Sequence, residues 1–467
     1  MAHTRTLYRE ESAAVSWTAI ATLSDTQLTQ IAQQVFVIGD RATTRLPKPK
    51  TTGSDAFKAA LDPIAAQADF SQFGIGVIDF TKDSMAPDVW LHNGDSAFRV
   101  GSATKIAILL AAVQLRLDVR QILALNIIST AADFDALFSN PSLWKKAKGP
   151  AVEMRAIAAN PPLISKIFDF GKDPVDFAGP DPNGRKDSDD KPVAATQDAI
   201  VAKLPSGGST WDKWTDFTFS ERLWLAGCPS DDVAATACVS ELGVPYIKAV
   251  QRSYGLADHL DGGMNLLLSS GYASIPASSG ASAAKPPRQL PNPEPITVQD
   301  FWFSRKTGRF SDKRSWVPGS AAALTAYMIA LMTDQFVNDR SLMFGQLGCD
   351  TIRKNLGDGG PYDADQVSPH AGAIHVGVLS VPDTQITRQI DKVGILGTAV
   401  GAKAALRCEF IYLETKQDPP PAAPARANLK YAIVATGVIS EAATGGDVAA
   451  TKSTKLGKAV HQALLTV

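Results

Sequence analysis

"FRVGSATKIAILLAAVQLRL", residues 98–117, is the stretch on which the reading of this chain turns. Nearly everything after Ser102 is apolar, so it reads as a helix buried over most of its circumference. Yet Lys105 stands three residues after Ser102, and positions i and i+3 share one patch of helix surface. Two readings of the pair compete. In the first, Ser102 caps the helix and Lys105 snorkels from its first turn to water. In the second, Lys105 is partly desolvated, which lowers its pKa and lets it take the proton of the Ser102 hydroxyl. A serine at the first helical position also has an N–H with no helical partner, available to a developing oxyanion. The spacing alone does not choose. Ser-x-x-Lys recurs at Ser142–Lys145, Ser188–Lys191 and Ser282–Lys285, though none of these opens a long apolar helix.

Composition narrows the setting. With 467 residues, 45% of them hydrophobic, the chain can bury one large core or two ordinary ones. A net charge of −1 gives no field that would draw in nucleic acid or an anionic membrane. No internal repeat is found. No stretch reaches the roughly 18 uncharged apolar residues of a membrane span; the opening helix is interrupted by Gln114 and Arg116. "MAHTRTLYREESAAVSW" lacks a basic start followed by an apolar run, so no signal peptide is expected. The compartments left open are the cytoplasm, or the periplasm or exterior if a leader was removed. Cys228, Cys238, Cys349 and Cys408 form no CxxC, so neither a zinc site nor a disulfide framework is indicated and core positions are expected. A soluble globular protein is the expectation.

Along the chain, "SDTQLTQIAQQVFVI" is helical with Ser24 or Asp25 as its cap, and "RLPKPKTTGS" reads as a linker. "FGIGVIDF" (73–80) and "DVWLHN" (88–93) pair as a strand hairpin. Residues 140–215 are broken by Pro, Gly and charge, residues 219–256 give two or three helices, and a second loop-rich block spans 274–295. "GSAAALTAYMIALMTDQF" is another apolar helix. The end holds a strand into "IDKVGILG", strands over "LRCEFIYLE" and "KYAIVATGVI", and a closing helix "KLGKAVHQALLTV". Strands from both ends must meet in one sheet, which makes the helical middle an insertion. The fold class is α/β (α+β): a mostly antiparallel five-stranded sheet from both chain ends, flanked by helices, with an inserted all-helical subdomain. The expected organisation is an N-terminal extension over 1–55 and a catalytic domain over 56–467, with irregular insertions near 130–215 and 258–317 beside the cleft.

This order of features resembles the serine β-lactamase and penicillin-binding-protein superfamily, closest to the class A β-lactamases. The group carries three signatures, S-x-x-K, S-D-N and K-T-G. Ser102–Lys105 matches the first in full, with its helix. Ser230-Asp231-Asp232 stands where the second is expected, with Asp232 in place of asparagine; its alternative reading is a helix N-cap beside Pro229. Ser188-Asp189-Asp190 repeats the triplet inside a charged loop and is set aside. An intact K-T-G occurs at Lys306-Thr307-Gly308, but a charged loop and a helix follow it. Lys392-Val393-Gly394 has the position the family requires, with two strands and a helix after it, and is preferred; Val393 there lacks the hydroxyl.

The resemblance implies a serine hydrolase acting through an acyl-enzyme on an amide, ester or β-lactam carbonyl. Ser102 is the implied nucleophile and Lys105 its base, with Ser230 and Lys392 delivering a proton to the leaving group. Gly394 and Ile395 complete the oxyanion site, Asp232 contacts lysine and substrate, and Arg407 resembles the arginine that meets a substrate carboxylate. An exposed strand-end charge is the other reading of Arg407. An ionised Asp232 would raise the pKa of Lys105. Class A enzymes also carry E-x-x-L-N, whose glutamate activates the deacylating water. The corresponding stretch offers Glu294 in "NPEPITVQ", with no asparagine four residues on. His370 and His375 lack metal-ligand spacing and are read as structural. No metal or organic cofactor is implied, and the partner is a small-molecule or peptide substrate. A catalytically impaired penicillin-binding or sensor protein, and a peptidase or esterase of the same fold, are the alternatives.

Overall fold

A computed structural model describes residues 23–35, 45–146, 151–171, 175–182, 193–204, 216–258, 264–266, 303–304, 309–310, 318–336, 342–358, 373–396, 404–420, 426–441 and 448–467. Five antiparallel strands form the central sheet: β1 (Gly74–Asp79), β2 (Asp88–His92), β3 (Thr384–Leu396), β4 (Ala404–Gln417) and β5 (Asn428–Glu441). Their order is β3-β4-β5-β1-β2, and the seam between the chain ends is β1 on β5, with Ile75 opposite Ala435 and Ile78 opposite Ala432. The expected hairpin and the expected closure of one sheet by both ends are therefore present. Everything from Ala97 to Leu379 lies between the two groups of strands.

Alternation along the strands builds two cores, one on each face. Phe410, Tyr412, Ala432 and Val434 face a large cluster shared with the helical insertion. Ile411, Leu413, Tyr431, Ile433 and Ala435 face a smaller cluster closed by helix α2 (Asp55–Ala65) and the C-terminal helix α8 (Val448–Leu465). An N-terminal helix, α1 (Asp25–Gln34), is capped by Ser24, which with Gln27 forms a reciprocal capping box. Fourteen of the eighteen residues of helix α3 (Ile106–Leu123) are buried, so it is the core around which the insertion packs rather than a one-sided surface helix. The polar residues that interrupt its apolar run are paired. Gln114 donates to Asp118 at 2.8 Å, Tyr246 donates to Asp118 at 2.9 Å and Tyr254 donates to Gln114 at 2.8 Å.

Residues 219–256 form three helices, α4 (Phe219–Gly227), α5 (Asp232–Leu242) and α6 (Val244–Ser253), and the apolar stretch after Ser320 forms α7 (Ala321–Met332). Between α5 and α6 the chain turns by 85° at Gly243, whose φ of +76° suits a residue with no side chain. Among the described residues no single helix is long and apolar enough to cross a membrane; α5 and α6 together meet the length and composition of a span only as a pair bent at this turn.

Two stretches differ from expectation. The first part of the 130–215 segment is helical, with Ala131–Phe138 capped by Thr130 and Pro141–Lys145 capped by Asn140. These helices are too short to register as a 3.6-residue period, and only their caps announce them. "RLPKPKTTGS" does not hang loose: Thr52 N donates to Val89 O at 2.7 Å, and the hydroxyls of Thr52 and Thr51 accept from Val89 N at 3.0 Å and Leu91 N at 3.1 Å. The stretch thus covers the outer edge of β2.

The inner face of α8 carries a buried histidine. His461 Nδ1 is 2.9 Å from the Tyr431 hydroxyl and its Nε2 is 3.2 Å from Thr384 Oγ1 and from Gln417 Nε2. Burial pushes its pKa from 6.5 down to about 4. The unfolded chain therefore binds this proton first, and the histidine's share of stability, complete above pH 6.5, is lost as pH falls toward about 4. Urea midpoints measured across that window should fall with pH, and fall less steeply in His461→Gln. Equal slopes in the two proteins would show that another group governs the acid limb.

Candidate functional site

The turn before α3 is a 3₁₀ segment, Gly101–Lys105, and the helix follows it without a break. Gly101 has φ +51°, the left-handed region that favours glycine. Neither the turn nor the helix has a side-chain cap. Ser102 is therefore not the cap of the first reading. It is half-buried, and its hydroxyl has no hydrogen bond among the described residues. Lys105 does not snorkel either, since its side chain is 0% exposed.

Three acceptors surround the buried amine. Lys105 Nζ donates to Ser230 O at 2.5 Å, to Ser230 Oγ at 3.3 Å and to Asp232 Oδ1 at 2.5 Å. All three come from the junction between α4 and α5, and the local backbone explains why. Asp231, not Ser230, caps α5, accepting from Ala234 N at 2.7 Å. Ser230 is thereby excluded as the N-cap and takes φ +63°, a left-handed conformation costly for a residue with a Cβ. That turn directs both its carbonyl and its hydroxyl at Lys105. Burial lowers the pKa of Lys105, and although Asp232 acts in the opposite sense, burial prevails.

Lys392 arrives from β3. It stands opposite Phe410 and shares that face with Ile390, so it points toward the helical insertion. It is 2% exposed, and its pKa is held well below the ordinary lysine value, first by burial and then by the neighbouring Lys105 charge. Asp391, Cys228 and Asp232 act on it in the other direction. Lys105 and Asp232 are in direct contact, and Lys392 lies within electrostatic reach of both. Gly394, two residues on, is where strand and turn touch. A Cβ built there would lie 1.8 Å from Val100 O and 2.8 Å from Ala103 N, so only glycine lets β3 lie against the Ser102 turn. The backbone of Ile395 follows in the same strand, opposite Arg407.

Arg407 departs from the second of its readings. It is buried rather than an exposed strand end, and its Nε donates to Glu409 Oε1 at 2.8 Å. Glu409 is itself fully buried and also accepts from Ile374 N at 2.9 Å. The guanidinium thus has an acidic partner on its own buried face. Glu409 escaped the sequence reading, although an Arg and a Glu two apart on a strand share a face and invite pairing. Val393, opposite Glu409, is buried. Cys228, at the end of α4, is half-buried rather than a core residue, and it lies within electrostatic reach of Lys392. The other three cysteines are buried as expected.

Lys306-Thr307-Gly308, Glu294, His370 and the second Ser-Asp-Asp triplet lie outside the described residues. His375 is buried, and among the described residues no group of three His, Cys, Asp or Glu is placed to hold a metal ion. The described residues thus hold the buried Lys105 amine against Ser230 and Asp232 and lay β3 at Gly394 against the turn that carries Ser102.

In fold, the class of protein to which this chain is similar is that of the β-lactamases and penicillin-binding proteins. Individually, it matches a β-lactamase from Sphaerobacter thermophilus at 14% identity over 88% of this chain and 95% of that one, with a TM-score of 0.37. For a β-lactamase from Chitinophaga pinensis the figures are 9% identity, 87% and 98% coverage and a TM-score of 0.39. A mutant PBP-A, solved as an acyl-enzyme complex with penicillin G, is 11% identical over 89% and 98%, with a TM-score of 0.37. No protein-family model and no curated protein matches the sequence.

The opposition between burial and Asp232 at Lys105 can be read through the reactivity of Ser102. Labelling of Ser102 by a fluorophosphonate should rise with pH as Lys105 loses its proton, below the ordinary lysine value of 10.5. In Asp232→Asn the rise should move to lower pH, because the carboxylate favours the ammonium form. A rise that stays in place, or moves to higher pH, would remove Asp232 from control of the base.

Proposed function

We propose that the chain is a serine hydrolase that works through an acyl-enzyme. One observation carries this reading: a fully buried lysine amine sits three residues from a half-exposed serine hydroxyl and is held by Ser230 and Asp232. In the deprotonated form Lys105 takes the proton of Ser102 as Oγ attacks an amide, ester or lactam carbonyl. The N–H groups of Ser102 and Ile395 receive the oxyanion, each worth roughly 10²–10³ in rate at comparable sites. Ser230, linked to Lys105 and backed by Lys392, passes a proton to the departing nitrogen or oxygen as the carbonyl re-forms. Water then cleaves the acyl-serine ester and returns the proton to the site. Burial supports the amines' role, because a desolvated lysine can be neutral far closer to physiological pH than a solvated one. Incubation with a fluorophosphonate or a reactive β-lactam should leave a mass adduct on Ser102 that Ser102→Ala lacks. Adducts confined to other residues would sink the reading.

A second reading is favoured by specific departures. Asp232, Val393 and the Glu409-paired Arg407 together suit a sensor that is acylated without turning over. Steady hydrolysis of a chromogenic cephalosporin or a p-nitrophenyl ester supports the enzyme; a stoichiometric burst that stops supports the sensor. The same departures bear on the substrate. A carboxylate held near Val393 would find neither a hydroxyl nor an uncommitted Arg407 charge there, so the preferred substrate is neutral at that end or anchored differently. A hydrogen bond to a charged group contributes roughly 1.5–3 kcal/mol. Penicillins should therefore be handled poorly, and Val393→Thr should raise penicillin acylation about tenfold, equivalent to about 1.4 kcal/mol. Rapid penicillin turnover that the substitution leaves unchanged would mean that the carboxylate is held elsewhere.

A further inference from the structure

We infer that Asp232 selects the acyl group, favouring chains that carry an ammonium or another N–H donor; the inference rests on the acyl-transfer reading of the site. Its geometry is unusual for an ion pair. Lys105 is 0% exposed while the Asp232 side chain is 75% exposed, so one end of the bond is sealed and the other looks into open space. Oδ1 receives the Lys105 amine at 2.5 Å, and Oδ2 has no hydrogen bond among the described residues. An asparagine at this position would offer a donor as well as an acceptor. A carboxylate only accepts. A substrate carbonyl therefore meets a lone pair here, whereas an amine or ammonium meets a partner.

The local charge balance points the same way. Asp231, beside it, is half-buried and caps α5 with one carboxylate oxygen. Burial and Lys105 favour the neutral form of Lys392, Lys105 is paired with Asp232, and Glu409 offsets Arg407. The charge that faces solvent at this junction is thus that of Asp232. Any acyl group on Ser102 lies on the side of α3 that carries Lys105, within reach of the carboxylate bound to that amine.

The test compares p-nitrophenyl esters of 3-aminopropionate, butyrate and succinate, which present an ammonium, a methyl or a carboxylate at matched reach. Rates with Ser102→Ala protein are subtracted as background. The amino ester should exceed butyrate by about tenfold in kcat/KM, a modest charge-assisted contact, and succinate should fall below both. The amino-to-butyryl ratio should drop toward one in Asp232→Asn, and should shrink with added salt in the wild type. Taking the ratio within each protein removes any change in Lys105 itself. A separate arm needs no chemistry at Ser102: on Ser102→Ala protein, 3-aminopropionamide should broaden in NMR more than butyramide, and the difference should vanish when Asp232→Asn is added. Cleavage of all three esters without preference, or a preference that survives Asp232→Asn, overturns the inference and leaves the hydrolase reading intact. No cleavage, with amine binding that depends on Asp232, overturns the hydrolase reading instead. Absence of that binding counts against the selectivity whichever way the esters behave.

Discussion

The burial of one amine governs the site. Lys105 sits on the rim of a helix that is buried over most of its length, and a charged ammonium there forgoes several kcal/mol of hydration. Such a group persists only if polar partners are brought to it, and the junction of α4 and α5 supplies them. Ser230 adopts a left-handed backbone to present two oxygens, and Asp232 contributes a third. The helical insertion is thereby locked to the first turn of α3. The partners that make burial tolerable thus fix the amine three residues along the chain from Ser102.

The sheet supplies the other wall, and Gly394 sets its distance. A residue with a Cβ there would meet the carbonyl of Val100, so β3 would have to stand away from the turn and take Lys392 with it. Because β3 belongs to the C-terminal group of strands and the Ser102 turn follows the N-terminal hairpin, this contact is non-local. It depends on β5 pairing with β1 in the observed register. The site can form only once the chain ends have closed, which ties its integrity to the core beneath α8 as much as to its own side chains.

What the sequence made legible was decided by how far each signal reaches. β1 and the middle of β5 are runs of β-branched and small residues that must be buried on both faces, and they stand out. Ser102 and Lys105 are legible because a lysine inside a long apolar helix is costly and needs a reason. The preference for Lys392 over Lys306 rests on the resemblance, which requires two strands and a helix after the motif; β4, β5 and α8 do follow Lys392. The short helices near 131–145 were not legible, because five to eight residues do not complete a periodic pattern and only Thr130 and Asn140 mark their starts. The role of Asp231 as the cap, which displaces Ser230 into its turn, depends on φ values that the triplet Ser-Asp-Asp does not specify. The burial of Arg407 was not legible for a related reason. Its partner, Glu409, was visible two residues away, but the shared buried face became evident only with the register of β4.

Two buried amines within electrostatic reach of each other cannot both keep their protons at low cost. Each positive charge lowers the proton affinity of the other, and burial lowers both. Asp232 bonds directly to Lys105 and reaches Lys392 only through space. Burial favours the neutral form of both, and Asp232 opposes it most directly at Lys105. On the acyl-transfer reading, Lys105 takes the proton of Ser102 only once it is itself deprotonated. An aspartate at position 232, where an asparagine would be neutral, favours the ammonium form of the lysine that it bonds. It therefore acts on the protonation of Lys105, and not only on what the carboxylate touches.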